Sequence, residues 1–439
     1  MTKHLLLGQT LTFTSDPFEN DWSDVAHINT SGGVLVEDGQ IVGVDDGAAL
    51  RAQHPDAIVT DYGQDLISAG FVDAHMHYPQ TGIIASWGKQ LIDWLNTYTF
   101  PEESRFGDRA FADDVAGRTL DLALAHGTTT LTSYCTIHPE SVDAFFEAAA
   151  KRNMAVVAGK TCMDRNAPDT LKDTSQSAYD DSKRLLKKWD GTGRARYAIT
   201  PRFSPTSTPE QLQALGALWA ENPNVLMQTH MSEQKPEIAW VKELFPDARD
   251  YLDTYERFGL LGENGLYGHC IHLEQREIDR FAEVGAAVVH CPTSNTFIGS
   301  GLFDIAGLKA RGIRTGLATD TGGGSSFSML RTMAAAYEIG QLRGNVLHPA
   351  QLLWLATEGS ASALKAQGQI GHLGVGASAD ITVLNLKSTE VIEQRANRAE
   401  HAWDAIFPTI MMGDDRAIRE VWVAGEMVSW RAPSPVDFA

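Results

Sequence analysis

The sequence predicts an α/β protein, a closed parallel (β/α)8 barrel joined to a small discontinuous β-sandwich formed by both chain ends. Three observations carry that expectation. Eight short apolar runs alternate with helix-like segments between about residues 70 and 365. Several of these runs end in polar, chemistry-bearing side chains. The chain on either side of this region reads as β. The 439 residues suit one large barrel plus a smaller module. The expected units are 1–69, the first part of the sandwich; 70–369, the barrel; and 370–439, the second part.

In the first unit, Leu5-Leu6-Leu7, Thr10-Leu11-Thr12-Phe13 and Gly33-Val34-Leu35-Val36 are strand-like. Asp38-Gly39, set before Ile41-Val42-Gly43-Val44, predicts a tight hairpin, because both residue types tolerate the positive φ that such a turn needs. The segment 16–31, rich in Asp, Asn and Ser, predicts a loop.

The eight runs of the barrel are Phe71–His75, Thr128–Tyr134, Ala155–Cys162, Arg196–Phe203, Val225–His230, Gly265–Cys270, Ala286–Cys291 and Ile313–Asp320. Between them Pro139–Arg152, Thr208–Glu221 and Gln275–Val284 carry apolar residues at helical spacing. An open doubly wound sheet would need a Gly-rich phosphate loop after the first strand. That strand ends in His-x-His instead. Past residue 370, Ile381–Leu384 is strand-like, and Ile418–Val423, Ala424-Gly425 and Glu426–Val428 predict a second hairpin.

Composition narrows the function classes. Thirty-six Lys and Arg against 56 Asp and Glu give a formal charge of −20. Such a surface repels phosphate backbones, so nucleic acid is not an expected partner. No basic amphipathic stretch suits a membrane surface, and no run approaches the ~20 apolar residues of a spanning helix. The apolar run at the N-terminus is too short for a secretory signal. Cys135, Cys162, Cys270 and Cys291 are widely spaced, with no Cys-x-x-Cys. They read as free thiols of a reducing cytoplasm, small buried hydrophobes in role.

The chemistry gathers at the run ends, which a barrel brings to its C-terminal face. His75 and His77, two apart on a strand, face one space, roughly 7 Å apart at their backbones by strand rise. Both can reach one ion at about 2.1 Å. His230 ends the fifth run, His269 lies near the end of the sixth, and Asp320 ends the eighth. His75, His77, His230 and Asp320 form a donor set suited to Zn²⁺ or Fe²⁺. Such a metal lowers the pKa of a bound water. Asp320 can touch the metal and take the water's proton, and His269 can hold the nucleophile by a hydrogen bond. Glu233, three residues past His230, can carry a proton to a ring nitrogen, or it can favour the start of the following helix. Asp73, inside the first strand, reads as a structural carboxyl. A two-metal site would need a bridging Lys or Glu at the end of the fourth strand. Ala198-Ile199-Thr200-Pro201 offers none and Lys160 lies on the third, so one metal is expected.

Together these residues resemble the amidohydrolase superfamily over nearly the whole chain. The signals are Phe71-Val72-Asp73-Ala74-His75-Met76-His77, Thr229-His230-Met231-Ser232-Glu233, His290-Cys291-Pro292-Thr293-Ser294-Asn295 and Ala318-Thr319-Asp320. Within it, Gln80, Leu95-Asn96-Thr97-Tyr98-Thr99-Phe100-Pro101-Glu102-Glu103 and Pro201-Arg202-Phe203-Ser204 resemble the guanine deaminase family. That resemblance implies a small-molecule substrate, guanine, converted to xanthine and ammonia in purine catabolism, and commonly a homodimer. It assigns Gln80, Arg202 and the backbone beside Phe203 to the purine edge. It implies that Glu233 protonates the ring nitrogen and that Asp320 relays the water's proton to the leaving amine. His230 and His269 adjoin the substrate as well. An ion-pairing role remains the alternative for Arg202. Trp87 is read as a ring that stacks on or lines the pocket, with an exposed-loop or core position as the alternative.

Three other functions compete. A superfamily relative acting on adenosine-like, pterin or triazine rings is disfavoured by the segment Leu95–Glu103. A non-catalytic scaffold would have lost the metal ligands, which are all present. An amide-ring hydrolase would release no ammonia. The smaller zinc deaminase design needs Pro-Cys-x-x-Cys, which is lacking here.

Overall fold

The computed structural model describes residues 2–88 and 90–428. The stretch 429–439 of the expected C-terminal unit lies outside the described residues. The chain begins with β1 (Lys3–Phe13), β2 (Ala26–Glu37), β3 (Gln40–Asp46) and β4 (Ile58–Ala69). The hairpin between β2 and β3 turns on Asp38 and Gly39, at φ 52° and 81°, as the Asp-Gly pair predicts. The expected loop at 16–31 is corrected from residue 22 onward, where Trp22–Val25 forms a short helix. Residues 26–31 belong to β2, because β1 runs on to Phe13 and pairs antiparallel with it as far as Phe13 opposite Ala26. A continuous backbone ladder outweighs the turn preference of Asn29 and Ser31 there, whose side chains stay at the solvent side.

Gly70 alone separates β4 from the first barrel strand, β5 (Phe71–His77). There follow β6 (Thr128–Tyr134), β7 (Ala155–Gly159), the short β8 (Thr161–Cys162), β9 (Ala195–Pro201), β10 (Leu226–Met231), β11 (Gly265–His269), β12 (Ala287–His290) and β13 (Arg314–Leu317). β5, β6, β7 and β9 to β13 pair in parallel in that order, and β8 pairs with β9 alone. The ring closes between its first and last strands. Asp320 N–H donates to the His75 carbonyl at 2.9 Å, and His77 N–H to the Thr321 carbonyl at 2.6 Å. The three expected helices are Pro139–Lys151, Pro209–Glu221 and Gln275–Val284. Thr208 caps the second by accepting from Gln211 N–H.

The interior explains a detail of β5. Val72 and Ala74 pack with Val157, Ala198, Leu226, Leu266, Ala287 and Val289 in the inner core, whereas Phe71 and Met76 belong to the layer beneath the helices. The inward parity therefore changes between Ala74 and His75. A register shift between Asp73 and Met76, where β5 spends one residue more than β6, is the cause. This bulge lets one strand fill the core below and aim His75 and His77 into the mouth above.

The last strands, β14 (Ile381–Leu384), β15 (Ile418–Val423) and β16 (Glu426–Val428), return to the N-terminal ones. The result is one seven-stranded mixed sheet in the order β16-β15-β14-β4-β1-β2-β3, so both chain ends build one unit. The β15–β16 turn also uses two left-handed residues, Ala424 and Gly425. Leu66, Leu384 and Val421 of this sheet join the core that the barrel shares with its helices. Among the described residues no helix is long and apolar enough to cross a membrane.

Candidate active site

The side chains expected to hold a metal meet at the C-terminal mouth of the barrel. His77 Nε2 lies 3.0 Å from His230 Nε2. Asp320 Oδ1 is 3.4 Å from His75 Nε2 and 3.7 Å from His77 Nε2. His230 Nδ1 is 2.8 Å from the Arg202 carbonyl. A carbonyl only accepts, so the ring proton sits on Nδ1 and Nε2 keeps its lone pair for the cluster. Burial holds His77 and His230 well below the usual imidazole range and lowers His75 too, so all three are neutral donors. Burial alone would raise Asp320, but its contact with His75 and the nearby His269 bring it below the ordinary carboxylate value. His75 Nε2 is buried and has no hydrogen-bond partner. Three neutral imidazoles and a carboxylate, with an orphaned nitrogen among them, fit a divalent cation. His75, His269, Cys291 and Asp320 form a second convergent set. Burial pushes the Cys291 thiol well up, which favours its protonated form and the role of a small buried side chain.

Neighbouring elements hold these rings in place. The Tyr134 ring at the end of β6 lies 4.6 Å from those of His77 and His230 and 4.9 Å from His75. Gly268 on β11 gives His75 its room, since a Cβ there would stand 2.8 Å from the imidazole Cε1. Asp73 bridges the first and last strands. It accepts from Thr319 N–H at 3.0 Å, from the Thr319 hydroxyl and from His75 N–H at 3.3 Å. Ser232, His269, Cys270 and Asp320 have φ of 50°, 68°, 48° and 48°. Left-handed backbone at non-glycine residues is strained, and here it gathers where three strands end at the site.

Glu233 and His269 form the next layer. Glu233 Oε1 accepts from the Ser300 hydroxyl at 2.9 Å, and Oε2 lies 3.5 Å from His269 Nε2. Burial raises the Glu233 carboxyl to about 7, against the pull of His269. Burial would lower His269, but Glu233, Asp320 and the bond to Asn295 outweigh it and raise it. Its Nδ1 meets Asn295 Oδ1 at 3.0 Å, and its Nε2 is 3.8 Å from Asp320 Oδ2. The start of helix Lys235–Leu244 is served by a different residue. Glu237 Oε2 accepts from the N–H groups of Glu233 and Gln234.

A cavity of about 420 Å³, counting the space at its mouth, opens onto this cluster. Gln80, Arg202, Phe203, His77, His230, Glu233, His269 and Asp320 all reach it, and Leu91, Trp94 and Leu95 line it as well. Gln80 Nε2 donates to Glu103 Oε1 at 2.9 Å and Arg202 Nη1 to Glu103 Oε2 at 2.7 Å. Gly322 packs behind Gln80, where a Cβ would come within 2.7 Å of the Gln80 Cβ. The expectation for Trp87 is corrected toward its alternative. The side chain is 80% exposed and does not line the cavity. Its carbonyl accepts from the Tyr98 hydroxyl at 2.6 Å, which anchors the backbone and leaves the indole outside. Trp94 supplies the pocket's indole instead. Lys160 is buried in an ion pair with Asp173.

Residues 91–103 form one continuous helical segment with a wider π turn, Leu95–Thr99, at its middle. Phe100 N–H bonds to the Leu95 carbonyl, five residues back. Pro101 follows, with no N–H to give and a ring that would crowd the carbonyl four residues before it, so the ladder opens here. The segment brings Leu91, Trp94 and Leu95 to the cavity and Glu103 beneath its wall. Nothing in the sequence marks Ser300 for the site, and the one signal for Glu103 is its place within the segment that resembles guanine deaminases.

A sequence model of the amidohydrolase family matches residues 66–428, and one of an imidazolonepropionase-like composite domain of bacteria matches residues 32–57. The guanine deaminase of Escherichia coli (strain K12) is 42% identical over 396 residues, covering 90% of this chain and 90% of that protein. A probable guanine deaminase of Deinococcus radiodurans is 38% identical, covering 93% of this chain and 91% of its own. The solved structure of the E. coli guanine deaminase superposes with a TM-score of 0.95 at 39% identity, over 98% of this chain and 100% of that one.

Proposed function

The chain belongs to the amidohydrolase family, and from that premise we propose that it is a metal-dependent guanine deaminase, hydrolysing guanine to xanthine and ammonia. The observation that carries the reading is one cavity shared by two sets of residues. Gln80 and Arg202, both bonded to Glu103, line it together with His77, His230 and Asp320 of the metal-ligand set. The close likeness to guanine deaminases along almost the whole chain supports the same substrate.

Arg202 has only donors and suits the purine carbonyl oxygen, while Gln80 suits the adjoining amide edge, with the backbone beside Phe203. The metal would be held by His75, His77, His230 and Asp320, and we propose Zn²⁺, one per chain, with Fe²⁺ the alternative that the same donors suit. Such an ion supplies Lewis acidity that makes water a nucleophile near neutral pH. Asp320 is suited to take the proton that the water gives up, and His269, its Nε2 3.8 Å from Asp320 Oδ2, to hold the nucleophile by a hydrogen bond. Glu233, with a carboxyl near neutrality, is suited to hold a proton and deliver it to the ring nitrogen beside the carbon under attack. Water adds to the carbon bearing the amine, the C–N bond breaks, the amine leaves as ammonia with the proton relayed by Asp320, and the remaining hydroxyl proton returns to Glu233 as the carbonyl forms. Buried free cysteines support a reducing, cytoplasmic setting.

Ammonia release tests the reading, with guanine, adenine, cytosine and pterins supplied in parallel to the metal-loaded protein. Guanine is the expected substrate. Release from a pterin or adenine with none from guanine would overturn the assignment.

A further inference from the structure

We propose that Glu103 is a positioning residue that sets the hydrogen-bonding polarity of the substrate wall, turning the acceptor end of Gln80 toward the cavity beside the N–H donors of Arg202. The proposal rests on the guanine reading and identifies what selects for that base within the site. Glu103 is fully buried, and both its oxygens accept, one from Gln80 and one from Arg202. It does not itself line the cavity.

The two ends of a glutamine amide differ little in shape, so hydrogen-bond partners decide which end faces where. A carboxylate that receives both Gln80 and Arg202 offers lone pairs only. The nitrogen of Gln80 must face it, which turns Oε1 the other way, and among the described residues no hydrogen bond engages that oxygen. Gly322, pressed against the Gln80 Cβ, closes off retreat on another side. Arg202 has no acceptor at all, so its remaining N–H groups are donors wherever they point. The wall therefore shows one acceptor beside a set of donors. Guanine carries the complement, a ring N–H and a 2-amino group beside a carbonyl oxygen. 2,6-Diaminopurine has a bare ring nitrogen and a 6-amino group in those places and meets like with like.

Glu103→Gln tests this at nearly constant volume. The new amide must turn its oxygen to Arg202, because arginine cannot accept. Its nitrogen then faces Gln80, whose amide flips and presents a donor to the cavity. Guanine KM is expected to rise roughly tenfold or more, the scale of one mismatched buried hydrogen bond. The kcat/KM preference for guanine over 2,6-diaminopurine should narrow and bound metal stay near wild type, while Tm falls because the buried Arg202 guanidinium loses its counter-charge. The double variant Glu103→Gln/Gln80→Glu restores an acceptor to the wall and should recover most of the lost guanine kcat/KM. A single variant with guanine KM and base preference within about twofold of wild type would overturn the proposal, since a mismatch of that kind should exceed that. So would a double variant that folds, holds metal and recovers nothing. If the single variant does not accumulate, the double decides alone. Guanine kcat/KM within about tenfold of wild type supports the proposal and a larger loss overturns it. Wild-type turnover of guanine is the control: its absence refutes the substrate reading itself, whereas its presence with an indifferent Glu103→Gln refutes only the role given to Glu103.

Discussion

Two glutamates four positions apart divide the two roles that the sequence leaves open for Glu233. Glu237 takes the backbone N–H groups at the start of helix Lys235–Leu244, which leaves the Glu233 carboxyl to the cavity, between Ser300 and His269. Glu233→Gln should therefore lower turnover on guanine about a hundredfold or more, the usual contribution of a positioned acid or base. Metal content and Tm should hardly change. A helix-start carboxylate would instead show about 0.3–1 kcal/mol of lost stability and normal turnover. Trp87 gives the opposite forecast. Its indole is outside the cavity, so Trp87→Ala should leave guanine KM within about twofold, the ±0.5 kcal/mol expected of a surface change. A tenfold rise would return it to the site. At this scale the sequence is legible where chemistry follows from strand position, as for His75, His77, His230 and Asp320. It is silent where partners lie far apart along the chain. Glu103 is 99 positions from Arg202, and Ser300 is 67 from Glu233. An isolated carboxyl or hydroxyl in the sequence carries no mark of such a partner.

The elements were legible because their periods were. The eight buried runs supplied the eight strands of the ring, the third also giving the short β8, and the two Xaa-Gly turns formed tight hairpins. Two features of the elements escaped. The bulge of β5 changes which side chains face inward, and no period reveals an added residue. The π turn of residues 91–103 depends on Pro101 being carried through a helix rather than ending it. Packing across the mouth of the barrel offers a test. Gly268 of β11 stands where any Cβ would press on the His75 ring of β5. Gly268→Ala is expected to destabilise by about 1–3 kcal/mol through overpacking and to lower metal occupancy with it. Thermal melting together with elemental analysis checks both, and an alanine variant with full metal and an unchanged Tm would show that β5 can yield.

The whole molecule is a barrel whose outer core continues into the sheet made by both chain ends. One equivalent of transition metal per chain is expected by elemental analysis of protein purified without added metal. Two equivalents, or none after supplementation, would contradict the donor set. The active form is expected to be a homodimer, since closed two-fold pairs are the commonest assemblies and the family resemblance points the same way. Light scattering of the active protein should give twice the chain mass of 47.8 kDa, and an active species at the single mass would refute it. The seam that closes the ring has a consequence for the life of the chain. Asp73 and Thr319, which meet there, are 246 positions apart, and the metal cluster draws on the same two strands. A chain emerging from the ribosome presents its histidine pair early and its aspartate late. The complete binding site cannot exist until the chain has been made as far as Asp320. Acquisition of the ion thus falls at the end of folding, and once bound it acts as a clasp on a very long loop, whose closing entropy it offsets.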